Sequence, residues 1–152
     1  MVLIKVDPAD FEVKELIKVS KSNNAKPDVV FIDHIQRIST VGFQTRRDSL
    51  VEYLNQLERM AMKEDIAIVV VSQLNREPMR TGRPPAIEHM KETGAIEESA
   101  ATVLLLWWKT KDVDKDPNDT KFYIIVGKQR FGPSGEQIPL KFLANIATFS
   151  WD

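Results

Sequence analysis

Apolar residues in this chain fall either in short unbroken runs or in runs spaced three and four apart, and the two patterns predict different elements. Val2–Val6 is a short β-rich run, and Asp7-Pro8 then offers an N-cap followed by proline at a first helical position. A helix is predicted to about Ser22, its apolar side drawn from Val13, Leu16, Ile17 and Ser20, before the breaker cluster Asn23–Pro27. Val29–Ile32 is a wholly apolar strand that stops at Asp33. The polar stretch Ser39–Arg47 leads into a helix over about Asp48–Glu64, where Leu50, Leu54, Leu57 and Ala61 mark one buried face.

Ile66–Val71 is a second wholly apolar strand, closed by Ser72-Gln73-Leu74-Asn75-Arg76. Two such strands around an amphipathic helix form a βαβ unit, which implies parallel strands covered on both sides. A loop from Glu77 to about His89 precedes a short helix near Ala95–Ala101, and Thr102–Trp107 is a third buried strand. Beyond the charged segment Lys109–Lys121 come Phe122–Val126, Gln137–Phe142 and Ile146–Trp151, linked tightly enough to be antiparallel neighbours. With no internal repeat, low-complexity tract or linker, residues 1–152 are expected to form a single domain.

Composition narrows the chemistry. The chain has 152 residues, 43% hydrophobic and 28% charged, enough to bury an ordinary core. Its 21 Lys+Arg against 22 Asp+Glu give a net charge of -1, so any nucleic-acid site must be local. Without cysteine there is no disulfide, thiolate metal site or cysteine nucleophile, and His34 and His89 are too few for a histidine cage. The first dozen residues contain acids and no long apolar run, which argues against a secretory signal. Ile66–Val71 and Val103–Trp108, at six residues each, are far short of the roughly 20 a membrane span needs. A cytoplasmic location and no membrane partner are expected.

In a parallel α/β sheet, ligands bind beyond the carboxyl ends of the strands, so the residues ending each apolar run carry the interest: Asp33 and Gln73. A carboxylate there suits Mg²⁺ or its coordinated water, and serves equally to cap a turn. The Gln73 amide can donate to a phosphate oxygen and accept from water, although a glutamine after a strand is commonly an ordinary loop residue. If the strand from Phe122 continues through Gly127-Lys128-Gln129-Arg130, Lys128 and Arg130 project to one face, where two cations can meet one phosphate. The turn Gly132-Pro133-Ser134-Gly135 places them near a loop tip, and a hairpin with two solvated cations is the plainer alternative. Between Arg76 and Glu97 lie Arg76, Arg80, Arg83 and Lys91, with Gly94 just before a helix. That is a cradle for a nucleic-acid phosphate or a solvated loop.

Two motifs fail on their spacing. Asp112, Asp114 and Asp116 open like a calcium loop, but Pro117 and Tyr123 stand where glycine and glutamate are needed. Gly127-x4-Gly132 imitates a P-loop, yet the next residues are Pro133 and Ser134, so the essential lysine is missing, and no other glycine has the spacing.

In order, Val29-Val30-Phe31-Ile32-Asp33-His34-Ile35-Gln36, Val70-Val71-Ser72-Gln73-Leu74-Asn75-Arg76, Lys91-Glu92-Thr93-Gly94-Ala95-Ile96-Glu97 and Gly127-Lys128-Gln129-Arg130-Phe131-Gly132-Pro133-Ser134-Gly135 resemble the successive motifs of the DnaB-type replicative DNA helicases along nearly the whole chain. The resemblance implies a partial RecA-like P-loop NTPase core: a mostly parallel sheet flanked by helices, with a carboxyl-terminal antiparallel β region. It also implies a hexameric ring of like subunits, ATP bound between neighbours, and single-stranded DNA in the channel.

By the same resemblance, Asp33 matches the Walker B carboxylate that orders Mg²⁺, and Gln73 the γ-phosphate sensor. Arg130 matches the arginine finger and Lys128 its companion, both reaching a neighbour's nucleotide, while Lys91, Glu92 and Gly94 match the loop that grips the DNA backbone. Phosphoryl transfer develops charge on the γ-phosphate oxygens, so a desolvated arginine from a neighbour can accelerate it by about 10³ or more. Contacts to phosphate and sugar let a motor run over any sequence.

Where the family has a P-loop and a catalytic glutamate before the Walker B strand, this sequence has neither, and Val2–Val6 corresponds to the strand just before that segment. The chain is thus expected to be the carboxyl-terminal part of a motor, inactive alone. Contacts to primase and loader would then be made through regions outside it. His34 stands where the family often has tyrosine, a change not expected to alter metal binding. A recombinase of the RecA or RadA type fits the motifs less well. The alternative of a different class is a non-catalytic RecA-like module that binds DNA or a partner.

Overall fold

A computed structural model describes residues 27–37, 39–91, 93–108 and 121–151. The strand Val2–Val6, the helix to Ser22, Glu92 and residues 109–120 lie outside the described residues. The described residues fall into two compact units, one drawn from residues 1–73 and 94–99, the other from 74–93 and 100–152.

The first unit contains a βαβ unit. Strand β1, Val29–Ile32, and strand β2, Ala67–Val70, pair in parallel with Val29 opposite Ala67 and Ile32 opposite Val70. Between them runs helix α1, Arg46–Glu64, two residues longer at its start than its apolar spacing predicts. The extension follows from capping: the Thr45 hydroxyl accepts from the Asp48 N–H at 3.1 Å and donates to Oδ2 of Asp48 at 2.8 Å. Asp48 in the first turn and Lys63 in the last complement the helix dipole.

The buried face of α1 is Leu50, Leu54, Leu57 and Met60, with Met60 where the spacing predicts Ala61. Ser49, buried beside them, satisfies its hydroxyl by donating to the Arg46 carbonyl at 2.7 Å. Leu57 and Met60 pack with Ile32, Ile68 and Val70, which occupy one face of the strand pair. Among the described residues the opposite face is exposed, with Phe31 72% exposed, where the unbroken apolar runs predict burial on both sides. The short helix α3, Thr93–Ser99, starts two residues before the predicted one and buries Ala95 and Ile96.

The second unit is a four-stranded antiparallel sheet in the order β3-β4-β5-β6. The strands are Thr102–Trp107, Lys121–Gln129, Gln137–Leu143 and Thr148–Trp151. β3 keeps its predicted bounds but alternates between exposed and buried. Val103, Leu105 and Trp107 enter the core with Ile125, whereas Leu104 and Leu106 are more than half exposed. The segment 77–89, read from sequence as loop, holds a short helix α2, Glu77–Thr81. Pro78 lies in its first turn, and Gly82 closes it in the left-handed region at φ 64°.

β4 runs three residues past its predicted end, and from Tyr123 to Gln129 it pairs with β3. The register shifts at Val103/Leu104, where Gly127 is the extra residue of a bulge between Val126 and Lys128.

Candidate functional site

Asp33 and Gln73 follow adjacent parallel strands, Asp33 directly after β1 and Gln73 three residues after β2. The ladder continues beyond the assigned strands: Val71 N–H donates to the Ile32 carbonyl at 2.8 Å, and Ile35 N–H to the Val71 carbonyl at 3.0 Å. These bonds hold the turn after β1 against the segment after β2. Ile35, only 1% exposed, anchors the short 3₁₀ turn Ile35–Arg37 in the core.

Gln36, on that turn, reaches across. Its Oε1 accepts the Gln73 N–H at 3.2 Å, and its Nε2 donates to the Ser72 hydroxyl at 2.9 Å. A backbone N–H can only donate, so the facing atom of Gln36 must be its oxygen, and the amide orientation is fixed. Arg46, at the start of α1, donates to the Gln36 carbonyl.

The Gln73 side chain turns toward His34, with 3.1 Å between its Nε2 and the ring Nε2. The other ring nitrogen, Nδ1, lies 3.7 Å from Oδ1 of Asp33, whose side chain is 80% exposed. The peptide between Asp33 and His34 is cis. Sequence reading singled out Asp33 and Gln73 and gave no role to Gln36 or His34, which connect them. The available signal was a polar residue three places after Asp33, next to the apolar Ile35, where a short turn brings it back over the strand ends.

Asp33 offers oxygen ligands to a hard cation, but no group of three or more acidic or histidine side chains forms a cage among the described residues. One exposed carboxylate fits Mg²⁺, which keeps several waters and is usually held by one or two carboxylates plus substrate phosphates.

Lys128 and Arg130 belong to the second unit. Lys128 pairs with Val103, and Arg130 N–H donates to the Ala101 carbonyl at 2.8 Å, so the ladder extends one residue past β4. Positions 128 and 130 therefore share a face, as the sequence predicts for a continued strand. Arg130 is exposed and Lys128 half-buried.

The loop from Gly127 to Ser134 is closed at its base by Gly135 N–H on the Val126 carbonyl, 2.7 Å, and Val126 N–H on the Glu136 carbonyl, 2.9 Å. Gly135 has φ +90°, a conformation side-chain-bearing residues rarely adopt. Phe131, next to Arg130, is 90% exposed at the tip.

Of the residues read as a DNA grip, Lys91 is exposed in a turn and Gly94 lies in the first turn of α3. A Cβ added at Gly94 would lie 3.8 Å from Nη2 of Arg47, which puts a second cation near that helix start. Glu92 lies outside the described residues.

A family model described as the DnaB-like helicase C terminal domain matches residues 2–151. Curated relatives include the replicative DNA helicase DnaB of Mycobacterium intracellulare, 28% identical over 93% of this chain and 26% of its own length. The probable replicative DNA helicase of Trieres chinensis is 32% identical over 80% of this chain and 28% of its own length. The chain thus spans little more than a quarter of these relatives.

Among solved structures, an isolated ATPase domain superimposes with a TM-score of 0.78 at 21% identity, covering 91% of this chain and 49% of that one. A DnaB-like replicative helicase described with its interactions with primase gives 0.75 at 21% identity, covering 90% and 33%. The fold is α/β and RecA-like, with a parallel and an antiparallel sheet.

Proposed function

Since the chain belongs to the DnaB-like helicase C-terminal domain family, we propose that it supplies the carboxyl-terminal part of an ATP-dependent replicative DNA helicase. In that reading ATP hydrolysis at the interfaces of a hexameric ring drives translocation on single-stranded DNA and unwinds duplex. The observation that carries it is the pair Asp33 and Gln73, tied together through His34 and Gln36 at the carboxyl ends of neighbouring parallel strands.

Asp33 would hold Mg²⁺, and the ion supplies neutralisation of the phosphate charge when nucleotide is bound. Gln73 donates to a γ-phosphate oxygen or orients the attacking water. Lys128 and Arg130, on one face of an extended strand, meet the triphosphate of the adjoining subunit, where Arg130 offsets charge developing in the transition state. Lys91, Glu92 and Gly94 contact the DNA backbone. Primase and loader engage regions of the helicase that this chain does not include.

Without a P-loop in its sequence, the purified chain is expected to hydrolyse ATP no faster than buffer. Adding the P-loop-bearing half of the domain in trans should restore magnesium-dependent turnover. Robust ATPase from the chain alone, or a mixture that stays inert, would overturn the proposal, and the inert mixture would favour a non-catalytic binding module.

A further inference from the structure

Gln73 is held from two directions, once through its backbone and once through its side chain. Its N–H is bound by Gln36, which also grips the preceding Ser72 hydroxyl and has its own carbonyl taken by Arg46. Its side-chain amide meets the ring of His34. The amide nitrogen faces ring Nε2 as a donor, and the other ring nitrogen, Nδ1, lies 3.7 Å from Asp33. The His34 side chain is 26% exposed, against 80% for Asp33, so the imidazole is the more enclosed of the two neighbours.

We propose that His34 is a positioning residue for Gln73: it orients the Gln73 amide beside the Asp33 carboxylate, while Gln36 fixes the Gln73 backbone. The inference rests on the reading of Gln73 as the γ-phosphate sensor. A flexible glutamine would have to be immobilised at each catalytic cycle, whereas one already held by two partners has lost that freedom on folding. An aromatic side chain without a ring acceptor fills the same space and removes this acceptor from the amide nitrogen. The nature of residue 34 therefore acts on turnover through Gln73 rather than through the metal.

The test is steady-state ATPase of the complete assembled helicase with His34→Phe, His34→Asn, Gln73→Ala and the double variant His34→Phe/Gln73→Ala. His34→Phe should lower kcat by about tenfold to a hundredfold, the usual loss when a supporting hydrogen bond to a site residue is removed. KM for ATP should stay within about twofold, since the contact removed is to Gln73 and not to the nucleotide. His34→Asn, which keeps an acceptor, should recover part of the loss. The double variant should be no slower than Gln73→Ala alone, because both act through one group.

Wild-type kcat in His34→Phe beside an impaired Gln73→Ala would overturn the proposal and leave the sensor reading standing. Equal, additive losses would overturn it too. Wild-type turnover in Gln73→Ala would remove the sensor reading, and the positioning role with it. In that event the side-chain amide resonances of Gln73 in this 152-residue chain show which part failed: a shift on His34→Phe means the contact exists without catalytic purpose, and no shift means the contact itself is wrong.

Discussion

A methyl group added at Gly127 would stand 3.1 Å from Cγ1 of Ile87 and 3.1 Å from Cδ1 of Leu105, inside ordinary carbon–carbon contact. Gly127 is also the extra residue of the bulge that sets the register of Lys128 against Val103. Gly127→Ala is therefore expected to destabilise the chain by about 1–3 kcal/mol, the usual cost of overpacking, visible as a lower denaturation midpoint in urea. An unchanged midpoint would mean that the β3–β4 packing is looser than described. Asp33→Asn keeps shape and loses charge, so in the complete helicase it should abolish magnesium-dependent turnover while leaving thermal stability within about 0.5 kcal/mol, as for an exposed surface group. A substantial loss of stability with intact turnover would make Asp33 a structural cap.

Helix α1 shows at the level of elements what periodicity carries and what it misses. The spacing of Leu50, Leu54 and Leu57 places its buried face, whereas its start is set by a hydrogen-bonded pair, Thr45 and Asp48, that hydrophobic periodicity does not register. Thr45→Ala should cost about 1 kcal/mol and Leu57→Ala about 2–5 kcal/mol, both measurable by urea denaturation, and a reversed order would displace the core from the α1 face. The strands were legible as strands, because β-branched and aromatic runs bounded by polar residues read clearly.

Their environment was less so. An unbroken apolar run predicts burial on both faces, but Phe31, Leu104 and Leu106 stand exposed in this chain. Asp33 and Gln73 could be picked from sequence because strand ends are where α/β sheets bind ligands. Gln36 and His34 could not, since their roles depend on a turn that folds back across two strands 36 to 39 residues apart in sequence.

Taken whole, the described residues of each unit leave large apolar side chains exposed on one sheet face. In the second unit the register puts Leu104 and Leu106, Val126, Ile124 and Phe122, Ile138, Leu140 and Phe142, and Trp151 and Phe149 on one face, where Val126 is buried and Leu104, Leu106, Phe149 and Trp151 are exposed. Trp151 is 79% exposed there, and Phe142 and Phe149 stack with ring centroids 4.8 Å apart. Faces of this kind drive association, so the purified chain is expected to elute larger than a 17.4 kDa monomer in size-exclusion chromatography, with little effect of salt. A compact monomer at all concentrations would contradict this.

At another part of that unit, the end of β4, Lys128 and Arg130 share a face and are proposed to act on a neighbour's triphosphate. The most direct measurement is ATP turnover by a ring of complete motor domains carrying Lys128→Ala and Arg130→Ala together, with nucleotide binding followed in parallel. ATP should still bind and turnover should fall by about 10³-fold or more. Turnover at the wild-type rate would contradict it.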